Sequence, residues 1–167
     1  MLALASPETP LYTGAYLGVF AGGGLAIAEG LVGSGATVGA RASTVLHLAD
    51  VEARYQLAAG PTATTHQGLV SVHLHPLFLF LLANNRLGAT LGSLSLELGG
   101  GPASGPGGFG LVWVWGGGVQ VPLTEPDAGQ SLWLGGVVTR TSDLAYEALG
   151  GVTTHLLLRL EYRHNGW

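Results

Sequence analysis

The chain has 167 residues, of which 47% are hydrophobic and only 10% are Asp, Glu, Lys or Arg. Soluble domains usually have about 25% charged residues, so this composition is unusual for a soluble monomer, which depends on surface charge to stay dispersed. The formal net charge is −4 and lysine is absent, which excludes the basic patch that a nucleic-acid partner requires. Cysteine is absent as well, which excludes disulfides, thiolate metal sites and cysteine nucleophiles.

The N-terminus gives a weak indication of the compartment. Residues 1–10 are expected to form a flexible segment, and Met1–Ala5 looks like the end of a secretory signal peptide with an A-x-A cleavage site at Ala3-Leu4-Ala5. A disordered apolar N-terminus explains the same residues.

Alternating apolar and polar positions, separated by turns rich in Gly, Pro and Asn, predict β-strands along most of the chain. The 29 glycines occur inside apolar runs and favour curved β structure over helix. In chain order the predicted strands are residues 11–28, 38–57, 67–83, 87–98, 109–123, 131–141 and 152–164, with a glycine-rich loop at 99–108.

No segment has a sustained helical period, so we predict an all-β fold: an antiparallel meander closed into a small up-and-down barrel, as one domain over residues 1–167. The longest apolar run, Pro76–Ala83, is far shorter than the ~20 residues of a membrane-spanning helix. A closed barrel is the other way to cross a bilayer. Barrels of that kind have an even number of strands, so an eighth is expected, from dividing residues 11–57 or from residues 143–149.

Two distant strands carry charges on one face. In the stretch Val45–Leu57, polar residues alternate with apolar ones from Asp50 onward, and the last strand repeats this pattern. In a closed barrel the first and last strands are neighbours, so the two charged faces would meet inside, where the small Gly14 and Gly18 leave room. Buried charges must be mutually paired because an isolated one costs several kcal/mol. We therefore predict a lumen ion-pair network of Asp50, Glu52, Arg54, Arg159, Glu161 and Arg163.

These segments carry a family resemblance. Tyr12–Gly18, the hairpin rhythm, the aromatic Leu111–Gly116, Leu158–Arg163 and the terminal Trp167 resemble the small OmpA-like outer-membrane barrels of Gram-negative bacteria. The resemblance implies export by a signal peptide, a location in the bacterial outer membrane with the lipid bilayer as partner, and a structural or interaction role. No cofactor is expected, and the protein is expected not to be an enzyme.

Ser71, His73 and His75 share one face of a predicted strand. Two imidazoles at this spacing can bind a transition metal, with Asp50 or Glu52 nearby. Histidines that are hydrogen-bonded in a polar lumen or at the membrane interface are the favoured interpretation. Ser71, a histidine and a carboxylate could also form a nucleophile–base set.

A serine, a histidine and a carboxylate in a small barrel resemble the catalytic site of outer-membrane lipid A deacylases. Their His-x-Ser-Asn motif lies near the C-terminus, whereas this chain has His164-Asn165 without the serine.

Three functions therefore stay open. The first is an outer-membrane barrel with an ion-paired, mostly closed lumen, since eight strands leave an interior that side chains fill, and with Trp113, Trp115, Trp133 and the tyrosines at the membrane interface. The second is a soluble barrel that binds a hydrophobic ligand. The third is a membrane-embedded hydrolase acting on lipid A.

Overall fold

The computed structural model describes residues 15–43, 48–61, 63–83, 85–125, 129–143 and 151–165. Eight antiparallel strands, each paired with the next and the last with the first, close into a barrel. The predicted all-β barrel with eight strands is therefore confirmed. The strands are β1 (Tyr16–Ala28), β2 (Leu31–Ser43), β3 (Ala49–Ala59), β4 (Thr64–Leu74), β5 (Ser95–Gly105), β6 (Gly108–Pro122), β7 (Gln130–Asp143) and β8 (Thr153–Asn165).

The strand register fixes the dimensions of the barrel. Starting from Tyr16 and passing to the paired residue of each strand in turn, the path returns to β1 at Ala26, ten residues further along. A stagger of this size in an eight-stranded barrel tilts the strands by about 40°. Strands of 11–15 residues, rising about 3.3 Å per residue, then form a wall roughly 30 Å tall.

The eighth strand arises by division of the region 11–57, one of the two expected sources. The single predicted strand 38–57 is wrong, because the chain reverses between β2 and β3. The sequence between these two strands contains no glycine or proline to mark a turn. The other source, residues 143–149, lies almost wholly outside the described residues, as do residues 1–10 and Gly14.

Helix replaces strand in the connection between β4 and β5. The predicted strands 67–83 and 87–98 are wrong there, since β4 ends at Leu74 and is followed by a 3-10 helix (Phe78–Ala83) and by α1 (Arg86–Gly92). The apolar run of residues 77–82 has no alternation, so its sequence does not separate strand from helix. Asn85 caps α1 by accepting a hydrogen bond from the Gly88 backbone N–H at 2.8 Å. No helix in the described part of the chain is long and apolar enough to span a membrane.

This helical connection lies at the end of the barrel where β1 begins and β8 ends. Leu81 is buried against Ala89 of α1 and against the inward-facing Trp133 of β7, so the connection packs against the interior of the barrel at that end. The predicted loop at 99–108 is wrong as well: β5 continues to Gly105 and returns directly into β6.

Polar residues line the inside of the barrel and apolar residues cover its outside. Along β3, Asp50, Glu52 and Arg54 are buried, whereas Val51 and Tyr55 are 54% and 45% exposed. The same arrangement holds on β8, where Leu156, Leu158 and Leu160 are exposed and the charged residues are buried. A small apolar cluster of Leu69, Ala103, Val112 and Val114 fills part of the interior.

The aromatic residues divide between the two faces. Trp113 and Trp115 face outward with exposures of 47% and 51%, whereas Trp133 and Tyr16 are buried in the lumen at 2% and 0%. The expectation that all of them form an interfacial belt is therefore wrong for Trp133 and Tyr16, because both lie at strand positions of inward parity.

Gly22 and Gly23 provide a test of the close packing between β1 and its neighbours. A Cβ atom on Gly22 would lie 2.2 Å from the Leu158 carbonyl oxygen, whereas one on Gly23 would lie 3.4 Å from its nearest neighbour. We expect Gly22→Ala to lower the free energy of unfolding by about 1–3 kcal/mol, as overpacking does, and Gly23→Ala to change it by less than about 0.5 kcal/mol. Urea unfolding followed by circular dichroism measures both, and equal effects would contradict the close approach at Gly22.

Candidate functional site

The structure places all six residues of the predicted lumen network on the inner face of the barrel. Their exposures lie between 0% and 4% for Asp50, Glu52, Arg54, Arg159, Glu161 and Arg163. β3 supplies the first three and β8 the last three, and β1 separates β8 from β2. The side chains therefore reach one another across the interior rather than along the wall.

Glu52 is the centre of this network. Its Oε2 atom accepts hydrogen bonds from Arg41 Nη2 at 2.5 Å and Nε at 3.1 Å. Its Oε1 atom accepts from Arg54 Nη1 at 2.7 Å, and Arg159 Nη1 lies 3.0 and 3.1 Å from the two oxygens. Three guanidinium groups from three strands thus surround one carboxylate, and charge-assisted bonds of this kind are the strong ones.

Asp50 anchors a second group near the end of the barrel where β1 begins and β8 ends. Its Oδ2 atom accepts hydrogen bonds from the Tyr16 hydroxyl and from His75 Nε2, each at 2.9 Å. Arg41 Nη1 lies 3.8 Å from the same oxygen. Arg41 therefore links the Asp50 group to the Glu52 group.

Glu161 forms a third group with Arg163 and Gln120. Arg163 Nε donates to Glu161 Oε1 at 2.8 Å, and Gln120 Nε2 donates to Glu161 Oε2 at 2.5 Å. The Arg163 guanidinium also lies against two aromatic rings, 4.2 Å from the centroid of Tyr16 and 4.1 Å from that of Trp133. These rings provide apolar surface and cation–π attraction to a charge that has left water.

Sequence reasoning missed two charged members of the network, Arg41 and Glu97. Arg41 is 3% exposed and Glu97 4% exposed, and Glu97 accepts a hydrogen bond from Arg54. Each is an isolated charge, Arg41 between two alanines and Glu97 between two leucines. A single charged residue at an inward-facing position of a strand that otherwise has apolar or small residues is the signal that would have identified them.

With these additions the lumen is electrically balanced. Four arginines (Arg41, Arg54, Arg159, Arg163) face four carboxylates (Asp50, Glu52, Glu97, Glu161) in the described interior. Gly18 makes room for one of them, because a Cβ atom there would lie 2.7 Å from Glu161 Oε1. A full set of opposite charges at close range is what offsets the loss of hydration.

Ser71, His73 and a carboxylate do come together, but their geometry is unsuited to nucleophilic catalysis. Ser71 Oγ lies 3.3 Å from His73 Nε2, and Glu52 Oε2 lies 3.3 Å from the same nitrogen. A relay needs the nucleophile and the orienting acid on opposite ring nitrogens. Here His73 Nδ1 has no hydrogen-bond partner among the described residues, and Ser71 is only 2% exposed.

The possible metal ligands are already engaged with cations. Side-chain atoms of Glu52, His73 and Glu97 lie within 4.8 Å of one another, but Arg54 Nη1 bonds both of these carboxylates. A metal ion would have to displace these arginine contacts. The two histidines are not a pair of ligands, since His73 contacts Glu52 and His75 contacts Asp50.

Comparison with known proteins finds a likeness at the level of the fold. No protein-family model and no curated protein matches the chain. The crystal structure of Neisserial surface protein A is similar with a TM-score of 0.49 and 11% sequence identity, and the alignment covers 92% of this chain and 98% of that one. At this identity the likeness bears on neither individual residues nor activity.

The central position of Glu52 can be tested by comparing it with Glu97. We expect Glu52→Gln to lower the free energy of unfolding by about 3–5 kcal/mol, as loss of one partner from a buried ion pair does, because Arg159 then has no carboxylate partner among the described residues. We expect Glu97→Gln to lower it by about 2 kcal/mol, the loss of one charged hydrogen bond, because Arg54 keeps Glu52.

Denaturant unfolding of the two variants under identical solution conditions measures both losses. A Glu97→Gln loss equal to or larger than that of Glu52→Gln would contradict the central role of Glu52.

Proposed function

We propose that the protein is a bacterial outer-membrane β-barrel with a structural or interaction role and a lumen that its own side chains largely close. The observation that carries this proposal is the placement of charge. Eight charged side chains of the described strands are buried in the lumen. On the outward face of these strands, Arg140 is the one residue of type Asp, Glu, Lys or Arg.

The size of the outer surface supports a lipid environment. A wall roughly 30 Å tall matches the hydrocarbon core of a bilayer, and the apolar band of outer-membrane barrels is about 25 Å tall. Leu158 and Val70 lie in the middle parts of their strands with exposures of 64% and 58%. In water, a surface of this kind would favour association between molecules.

Closure of the barrel meets the other requirement of a bilayer. Every strand is paired on both sides, so no strand edge presents unpaired backbone groups to lipid. Both ends of the described barrel chain lie at one rim, where Tyr16 of β1 pairs with Asn165 of β8. Export to the outer membrane by a signal peptide belongs to the same proposal.

The two alternative functions have less support. A soluble barrel that binds a hydrophobic ligand needs an apolar cavity, whereas this interior holds the ion-pair network. A lipid A hydrolase needs an accessible nucleophile, whereas Ser71 is buried and shares one nitrogen of His73 with Glu52.

A pair of arginine substitutions on the outer wall distinguishes a membrane barrel from a soluble one. Leu158 faces outward near the middle of β8, and Ser142 has outward parity near the end of β7. For a barrel refolded into lipid vesicles, we expect Leu158→Arg to cost about 2–4 kcal/mol and Ser142→Arg about 0–1 kcal/mol, because the penalty depends on depth. Urea titration of vesicle-inserted protein measures both. A protein that remains folded and monomeric without detergent, and tolerates Leu158→Arg, would refute the membrane proposal.

Conductance tests whether the network closes the lumen. We expect the unmodified protein to give no steady current in a planar bilayer, because its interior is filled by paired side chains. The double variant Glu52→Ala/Arg159→Ala removes one charge of each sign from the centre of the network, and we expect it to conduct ions. Leu158→Ala, on the outer wall, is the control and should stay silent. Steady current through the unmodified barrel would contradict closure.

A further inference from the structure

A groove runs along the outer wall of the barrel across β5, β6 and β7. Its volume is about 640 Å³ and its lining is almost entirely apolar, with Leu96, Trp115 and Val119 among the residues that form it. From Val119 to Trp115 it follows β6 for four residues, which corresponds to about 13 Å at the rise of a strand. The groove is therefore elongated along the wall.

Two outward-facing glycines form the floor of the groove. Gly117 of β6 pairs with Val138, and Gly136 of β7 pairs with Val119, so each glycine lies opposite a valine. A Cβ atom on Gly136 would meet nothing within 4 Å. The space over Gly136 is open because glycine has no side chain to fill it.

Arg140 lies at the end of the groove that is farther from the start of β1 and the end of β8. It is exposed on β7, and its guanidinium carbon lies 5.7 Å from the centroid of the Trp115 ring. It forms no ion pair or hydrogen bond with another residue in the described part of the chain. Its paired neighbour on β8 is Thr154, which also lines the groove and offers a hydroxyl beside the guanidinium.

We propose that this groove is a binding site for one anionic phospholipid. An acyl chain lies over Gly117 and Gly136, and the phosphate accepts hydrogen bonds from Arg140 and Thr154. The site rests on the proposed membrane location. A guanidinium fits phosphate oxygens in a bidentate manner, and long arginine side chains extend from an apolar wall toward the headgroup region.

The number of charges favours a lipid with a single phosphate. Arg140 is the one Asp, Glu, Lys or Arg on the outward face of the described strands, so the wall offers one cation to one anionic group. Lipid A, which carries two phosphates and several chains, needs a broader cationic surface. We therefore infer a glycerophospholipid of net negative charge, and phosphatidylglycerol is the probe of choice.

The test is lipid retention by the purified barrel in detergent, measured by native mass spectrometry. The protein is mixed with equal amounts of phosphatidylglycerol and phosphatidylethanolamine that carry identical acyl chains, and in a second measurement with phosphatidylglycerol and lipid A. We expect one phosphatidylglycerol per barrel and a preference over phosphatidylethanolamine of about fivefold, the effect of one arginine near a membrane surface.

Four variants separate the headgroup contact from the chain contact. Arg140→Gln should abolish the preference, and Arg140→Lys should retain it. Gly136→Leu fills the groove and should lower retention of both phospholipids. Gly68→Leu is the matched control, because Gly68 also faces outward and a Cβ atom there would lie 3.7 Å from Pro102, away from the groove; it should behave like the unmodified protein.

The outcomes distinguish this site from the membrane proposal itself. Equal retention of the two phospholipids by the unmodified protein, a preference that survives Arg140→Gln, or no effect of Gly136→Leu would overturn the site. A stronger retention of lipid A than of phosphatidylglycerol would overturn its assignment to a lipid with one phosphate. In each of these cases the barrel still requires detergent, whereas a barrel that stays folded and monomeric without detergent would remove the membrane proposal and the site together.

Discussion

Mutual neutralisation of charge in a narrow interior is the constraint on which this barrel depends. Eight strands leave an interior only wide enough for side chains, and four arginines and four carboxylates occupy it. Glu52 contacts Arg41 on β2, Arg54 on its own strand and Arg159 on β8. The same carboxylate therefore connects strands that the backbone hydrogen bonds do not join directly. Its partners must be in place for any one of these charges to be buried at tolerable cost.

The concentration of charged residues in the lumen explains why the outer face of the barrel is apolar. The chain has only 16 residues of type Asp, Glu, Lys or Arg, and eight of those that the structure describes lie in the lumen. The outward face of the strands is left to aliphatic residues, glycine and a few aromatics. Arg140 departs from this rule, and it does so beside the groove over Gly117 and Gly136. A single exception on an otherwise uncharged wall is easier to understand as a contact for an anion than as a means of solubility.

Much of the fold could be predicted from the sequence because strand alternation has an exact period of two. The alternate positions of Asp50, Glu52 and Arg54 predict which side of β3 faces the lumen. Those of Arg159, Glu161 and Arg163 predict the same for β8. Alternation does not indicate where the chain reverses direction, however, so β2 and β3 were predicted as one strand. It also does not distinguish strand from helix where every residue is apolar, as in residues 77–82. Arg41 and Glu97 were missed because an isolated charge has no periodic partner along its own strand.

The alternating signs on β8 have a consequence for how the barrel closes. Arg159 and Glu52 are 107 residues apart in sequence, so the pairing of β8 with β1 joins the two ends of the chain and carries a large loop-closure entropy. A slip of one residue at this seam would turn the charges of β8 outward. A slip of two residues would keep them inside but would bring either Glu161 or Leu157 to the place of Arg159, beside the Glu52 carboxylate. The sequence Arg-x-Glu-x-Arg thus acts as a register code for the closing seam, in which each wrong alignment replaces an attraction by a repulsion or by an unpaired charge.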